Sequence, residues 1–283
     1  MASAKEIIIK PISSIDANRI IRTIHYSHKV VNNSQLHFGV FLNGKCGGVL
    51  QFGPSLDKRK IMRLVRETGW NEFLELNRMA LADWMPKNSG SRALSVCIRL
   101  IRQHYPYIKW IISFADGTQC GHGTQYQAVG FYLTGIKRNN QIWQAPTGAR
   151  FSRTSLTDGR SKAQQRQAVN LCYRVTVTKG SNILESGGAS MKSFIDSGFK
   201  PLLGYQFRYI YFLDLLYKDK LTVPILPYSK IDEVNGRMYK GKLISGVGSI
   251  DNDAATIHAA EGGVTPTPTL QNFIGQKAVK LDG

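Results

Sequence analysis

The sequence predicts a mixed α/β fold, in which a partly parallel sheet carries flanking helices, a basic insertion precedes the last strand and a flexible tail ends the chain. Three observations lead there. Short β-type runs alternate with helical periodicity through the middle of the chain. YIKWIISFAD (107–116) is an unbroken apolar run of the kind buried on both faces of a sheet. Two of the central strands are each followed by a glycine-containing turn that opens a helix, which is the pattern of parallel strands joined by crossovers.

Taken in order, EIIIKPI (6–12) is a short β-run stopped by a proline. SIDANRIIRTIHYSH (14–28) places Ile15, Ile20, Ile21 and Ile24 near one helical face. HFGVFLNGKCGGVLQFG (37–53) is two strand-like runs about Asn43-Gly44, the pair a two-residue hairpin turn prefers because both central positions need positive φ. DKRKIMRLVRETG (57–69) reads as a short helix, and FLELNRMALAD (73–83) as a strand ended by Pro86. ALSVCIRLIRQHY (93–105) then repeats Leu94, Cys97, Ile98 and Ile101 at helical spacing. After the apolar run, TQYQAVGF (124–131) reads as a helix closed by Gly130, with a strand starting at Phe131. Residues 136–200 are polar and basic without clear periodicity. GYQFRYIYFLDLLY (204–217) returns as an aromatic strand able to rejoin the sheet. From about 235 the chain is rich in Gly, Thr, Ala and Pro, the composition of a flexible tail.

Charge narrows the function. The 283 residues hold 37 Lys plus Arg against 19 Asp plus Glu, a net +18, and this excess points to a polyanionic partner. It is uneven: residues 1–136 hold 17 basic and 8 acidic side chains, 137–230 hold 15 and 5, and 231–283 hold 5 and 6. No helix sets an apolar face against a uniformly basic one, so nucleic acid is expected in preference to a membrane. With no apolar run of about 18 residues and no signal-type N-terminus, the chain reads as intracellular and globular. Cys46, Cys97, Cys120 and Cys172 show neither metal nor disulfide spacing.

Candidate chemistry gathers in four places. The turn Lys87–Arg92 opens a helix, so its free N–H groups and Arg92 could hold a phosphate; equally, Ser89 or Ser91 could simply cap the helix. Tyr126 near the end of its helix could donate a proton at the splayed sheet end, or it could be core. Asp116 ends the central strand, where ligand-binding groups collect, or it caps the turn that follows. Ser113 lies three residues earlier. His25, Tyr26, His28 and His37 form the histidine-rich neighbourhood. HYSH could supply a base or, with Asp116 or Glu75 from other elements, a two-imidazole-plus-carboxylate site suited to iron; hydrogen-bonded structural histidines are the alternative. Cys120 and His122 alone offer too few ligands for a metal.

The order strand, glycine turn, helix, strand, helix resembles the GNAT acetyltransferase superfamily. Lys87-Asn88-Ser89-Gly90-Ser91-Arg92 is similar to that family's pyrophosphate-binding turn, although Lys87 stands for Gln or Arg and Arg92 for a small residue. Tyr126 to Gly130-Phe131 is similar to its Tyr-x-x-x-Gly-Phe, whose tyrosine protonates the departing thiolate. A more specific resemblance is carried by His25-Tyr26-Ser27, HFGVF (37–41), QFGPS (51–55), WNEFLELNRMAL (70–81), SRALS (91–95), IKWIISFADGTQCGHGT (108–124) and RYIYFLD (208–214). These runs look like the Mom DNA-modification proteins of Mu-like phages.

The resemblance implies a GNAT-like catalytic domain over 1–230, with 137–203 as a basic insertion able to contact DNA and 231–283 as the tail. It implies a transferase that converts adenine in duplex DNA to a carbamoylmethyl (acetamido) adenine, protecting it from restriction in the host bacterial cytoplasm. Acetyl-CoA is the implied carbon source, held by Asn88, Ser89, Gly90, Ser91 and Arg92. Iron is a further possibility, with His25 and His37 as candidate ligands and Tyr126, Asp116, His25, Tyr26 and Ser113 as catalytic candidates. Trp143 and Phe151 in the basic segment are candidate stacking groups. Two other classes stay open: a GNAT-shaped nucleic-acid-binding module without catalysis, and ordinary protein or small-molecule acetylation, which the charge disfavours.

Overall fold

A computed structural model of the chain describes residues 2–157, 191–239 and 242–243. Its centre is an eight-stranded sheet of spatial order β1-β2-β3-β4-β5-β8-β6-β7. The strands are β1 (Ile8–Pro11), β2 (Leu36–Leu42), β3 (Lys45–Gly53), β4 (Phe73–Leu81), β5 (Trp110–Asp116), β6 (Tyr132–Gln144), β7 (Arg150–Ser152) and β8 (Lys200–Phe212). All neighbouring pairs are antiparallel except β4 and β5. The mixed α/β class expected from the sequence is the class observed. β2 and β3 form the expected hairpin, with Asn43 at φ 50° and Gly44 at φ 77° in its turn.

Helices cover both faces. α1 (Ser14–Ile24) starts at Ser13, whose hydroxyl accepts from Asp16 N–H, and buries Ala17 and Ile21 against Val49 and Ala80. α2 (Lys58–Met62) is the short helix after β3. α3 (Ser89–His104) buries Ala93, Leu94, Cys97, Ile98 and Ile101 on the opposite face, the stripe its spacing dictates. α4 (Thr124–Val129) packs beside α3 and ends at Gly130, φ 92°, a left-handed cap that glycine adopts without a Cβ clash. The helix at 87–92 begins earlier than its periodicity indicates, at Ser89, so Gly90, Ser91 and Arg92 lie in its first turn rather than before it.

Two departures from regularity shape the centre. β4 and β5 pair only over Phe73–Glu75 and Trp110–Ile112, though both strands continue; beyond Glu75 and Ile112 they part and leave a split. In β4 the register against β3 jumps from Gln51↔Arg78 to Phe52↔Leu76, leaving Asn77 as an extra residue. This bulge reverses the alternation, so that Glu75 and Arg78, three apart, face the same side of the sheet.

The aromatic strand β8 rejoins the sheet between β5 and β6, pairing Trp110↔Phe212 through Asp116↔Gln206 on one side and Tyr132↔Ile210 onward on the other. The basic stretch is therefore partly sheet: β6 runs on to Gln144 as a paired strand. After it, β7, α5 (Arg153–Thr157) and α6 (Met191–Asp196) build a satellite core of Ala145, Phe151, Leu156, Phe194 and Phe199. Phe151 is buried there and Trp143 packs against it, so the expected stacking role fails for Phe151, whose ring is taken up by Phe199. Arg160, Lys162, Arg166, Cys172 and Tyr173 lie outside the described residues, as does the tail beyond 243.

Packed structure runs a few residues past position 230. That position falls at the start of α7 (Lys230–Glu233), whose Ile231 is in the main core, while Tyr228 Oη donates to Phe131 O at 2.5 Å and Gly236 N–H to Ile231 O at 2.7 Å. Packed chain thus continues through Gly236. β9 (Met238–Tyr239) and β10 (Lys242–Leu243) pair with each other. Among the described residues no helix is long and apolar enough to cross a membrane.

Candidate active site

The split between β4 and β5 collects groups from four elements. Tyr126 of α4 is buried and lies beside Ser113 of β5, and burial raises its phenol to about 12, with the charges of Cys120 and Glu75 adding to the rise. Ser113 Oγ is itself buried yet completes no hydrogen bond of normal geometry among the described residues. Both expected residues therefore meet in one place, with the tyrosine protonated at neutral pH. Tyr126 also packs against Tyr209 at 5.4 Å and Phe131 at 5.5 Å between ring centroids, which fixes its ring.

Asp116 closes β5. Burial raises its pKa, opposed by hydrogen bonds from Thr118 and Asn139; Thr118 N–H donates to Oδ1 at 2.9 Å. Its backbone oxygen accepts from Cys120 N–H at 2.8 Å, so the 117–121 loop is wound around this residue, as its turn-capping reading expects. Tyr26, 48% exposed, is the accessible member of the group: burial of the remainder, then Cys120 and Asp116, push its phenol well above the ordinary value, while Arg78 opposes.

His25 is buried. Its Nδ1 accepts the Ser27 backbone N–H at 3.1 Å and contacts Ser27 Oγ at 2.8 Å, so the neutral ring carries its proton on Nε2. Burial, Arg78 and His28 lower its pKa to about 4. His37 is engaged elsewhere, with Gln51 Nε2 at 3.1 Å, and Gln51 donates onward to Asn18 Oδ1 at 3.0 Å. The proposed iron set is thus not assembled: among the described residues no three of His, Cys, Asp and Glu converge, and His25 keeps Nδ1 for a backbone donor. The donor set does not fit an iron ion.

Sequence reasoning missed Arg78 altogether and weighed Glu75 and Cys120 only as metal ligands. Arg78 donates through Nε to Lys29 O at 3.1 Å and through Nη1 to Asn77 O at 2.7 Å, and its charge acts on His25, Tyr26 and Glu75. Glu75 is raised by burial, opposed by Ser55 and Arg78. Cys120 is an exposed thiol close enough to act on both tyrosines. No spacing rule marks Glu75 and Arg78, because an unbulged strand would put them on opposite faces. His122, in the same loop, accepts Tyr209 Oη through its backbone oxygen at 2.6 Å and contacts Thr124 Oγ1 at 3.1 Å; its role is to hold the loop.

Beside the first turn of α3 runs a groove of about 870 Å³ whose walls include Trp84, Lys87, Asn88, Ser91, Arg92 and Ala128. No side chain caps the helix, Asn88 is left-handed at φ 67°, and Ser89 Oγ is buried without a hydrogen bond among the described residues. Free first-turn N–H groups and a cationic rim suit an anionic phosphate. At Gly90 a Cβ would strike Gln125 Oε1 and come within 3.2 Å of Met79 Cε, so the glycine leaves room for these side chains of α4 and β4.

A family model described as the Mom protein family matches residues 6–230 of this chain. A curated protein named methylcarbamoylase mom, from Escherichia phage Mu, is 47% identical over 133 residues, 47% of this chain and 55% of its own length. The chain thus spans about half the length of that relative. Among solved structures, an N-acetyltransferase from Staphylococcus aureus Mu50 covers 74% of this chain and 99% of its own at 12% identity and a TM-score of 0.40. The ribosomal-protein-S18-alanine N-acetyltransferase from Escherichia coli covers 51% and 88% at 15% identity and a TM-score of 0.35. A GNAT family acetyltransferase from Elizabethkingia anophelis with acetyl-CoA bound covers 47% and 81% at 17% identity and a TM-score of 0.33.

Proposed function

Because the chain belongs to the Mom protein family, we propose that it is a DNA-modifying transferase that converts adenine in phage DNA to a carbamoylmethyl adenine and so shields the DNA from host restriction in the bacterial cytoplasm. The observation that carries this reading is that the matched region, 6–230, contains the split and every group that converges on it. The net charge of +18 supports a polyanionic substrate.

The groove beside α3 fits the phosphates of acetyl-CoA, with Lys87, Asn88, Ser91 and Arg92 of its wall as the holding groups and Ser89 and Gly90 beside them in the same turn. Bound there, acetyl-CoA supplies a two-carbon unit as an activated thioester. Joining its methyl carbon to the exocyclic amine and converting its carbonyl to an amide require, besides acetyl-CoA, a two-electron oxidant and a nitrogen donor; the chain's own residues bind, orient and move protons. Tyr126 keeps its proton at Oη throughout the neutral range and can give it to a departing sulfur. Glu75 and Asp116, both raised by burial, are acceptors for hydrogens of the exocyclic amine. His25, neutral with its proton on Nε2, orients as a donor without adding charge. Because the target amine is paired inside duplex DNA, the base must leave the stack to reach the split.

Nucleoside mass spectrometry tests this directly. DNA from cells expressing the chain should yield a mass-shifted adenosine after digestion, lost in Tyr126→Phe. DNA binding without any modified nucleoside would leave the alternative, a nucleic-acid-binding module lacking catalysis.

A further inference from the structure

An extruded base leaves a hole in the duplex, and proteins that hold such a state insert an apolar side chain into it. The requirements are strict: an exposed apolar side chain, a rigid support, proximity to the pocket that receives the base, and cations beside it for the backbone.

The loop between β3 and α2 meets all four. Leu56 is 88% exposed, more so than any other large hydrophobic side chain among the described residues. Its support is fixed on both sides. The Pro54 carbonyl accepts from Asn33 Nδ2 and from Asn77 Nδ2 at 3.3 Å, and Asn77 is the bulge residue of β4. Ser55 is buried, with its hydroxyl against Glu75 of the split. Gly53, at the end of β3, lies so close to the Asn33 carbonyl and Ser34 that no side chain would fit. One residue past this clamp Leu56 stands in solvent, and Asp57 then caps α2 through Lys60 N–H.

The flank is cationic. DKRKIMRLVR (57–66) holds five basic residues against one acid, and Arg59, Lys60 and Arg63 are exposed with no ion pair among the described residues. Single exposed apolar side chains are ordinary on a protein surface; what sets Leu56 apart is that the residues before it are pinned against Asn33, Asn77 and Glu75 while cations follow it. With cations on one side and Glu75 of the split against the neighbouring Ser55 on the other, duplex DNA is the partner whose chemistry matches both.

We propose that Leu56 is the wedge that enters the base stack and holds the target adenine extruded into the split, with Arg59, Lys60 and Arg63 neutralising the adjacent phosphates. The proposal rests on the DNA-modifying reading above, and its test separates the two.

Duplexes carrying 2-aminopurine at adenine positions in varied contexts brighten when the base leaves the stack, with no chemistry required. The wild-type chain should brighten them. Leu56→Ala should abolish most of the rise on paired 2-aminopurine while keeping the response on the same base left unpaired in a bubble, and Leu56→Met should restore it. In the modification assay, Leu56→Ala should lose about tenfold or more on duplex DNA and far less on opened DNA. A wild-type rise with Leu56→Ala, or equal losses on paired and opened DNA, overturns the wedge. If brightening depends on Leu56 but no modified nucleoside forms, the wedge stands and the catalytic reading falls.

Discussion

The Ser27 backbone N–H donates to His25 Nδ1 at 3.1 Å, and this one bond fixes the tautomer of a buried imidazole two residues away. The folded ring, at about 4, resists the proton that an unfolded histidine takes up near 6.5. Between those values the unfolded chain binds the extra proton, so this contribution to stability is complete above pH 6.5 and declines as the pH falls toward 4. The advantage of the wild type over His25→Gln in urea unfolding should shrink by about 2 kcal/mol between about pH 7 and about pH 5. An unchanged difference would mean that His25 is charged in the fold.

Tyr126→Phe removes one hydroxyl and leaves the ring between Tyr209 and Phe131. Modified adenosine should fall by about 100-fold or more, the usual weight of a lost proton donor, with a stability change of about 1 kcal/mol or less. Full activity in the mutant would remove Oη from the reaction.

Arg92→Glu reverses charge at the rim of the α3 groove without touching the core face of the helix. Acetyl-CoA affinity by calorimetry should drop about tenfold or more, with the melting temperature little changed. Equal affinity in the two proteins would place the cofactor elsewhere.

Neutralising Arg59, Lys60 and Arg63 together should flatten the salt dependence of DNA binding. The slope of log K against log salt should become shallower by about 0.9 for each phosphate that the variant no longer neutralises. An unaltered slope would take α2 off the DNA.

Gly53→Ala tests the clamp beneath Leu56. Its methyl would meet the Asn33 carbonyl and lie 2.8 Å from Ser34 Cα, both backbone and unable to swing aside. A loss of about 1–3 kcal/mol in stability is expected. Gly90→Ala meets only the ends of Gln125 and Met79 side chains and should cost less than Gly53→Ala in the same unfolding experiment.

The elements with strong periodicity were legible: the Asn43-Gly44 hairpin, the buried stripe of α3 and the unbroken run of β5 all follow from residue pattern. Tyr126, Ser113, Asp116 and Tyr26 could be named because they stand at or near element ends, where ligand-facing groups gather. Arg78 could not, and Glu75 was legible only as a metal carboxylate, since their shared face depends on a bulge at Asn77 that only the β3 register defines. His37 misled for the opposite reason: proximity in sequence to His25 says nothing of Gln51, its partner from the next strand. Phe151 and Trp143 looked like exposed aromatics among arginines because their partners, Phe194 and Phe199, are more than forty residues away.

The placement of β8 also sets an order of events during synthesis. Asp116 faces Gln206 and the Gly117 N–H donates to Tyr205 O at 2.9 Å, so the end of β5 has no neighbour on that side until residues made roughly ninety positions later have arrived. A nascent chain halted at 150 shows two unpaired edges, β5 and β6, with the tyrosine helix strung between them. The candidate site, though its own residues are made early, is thus completed only when β8 arrives, and prematurely terminated products should be clients for chaperones.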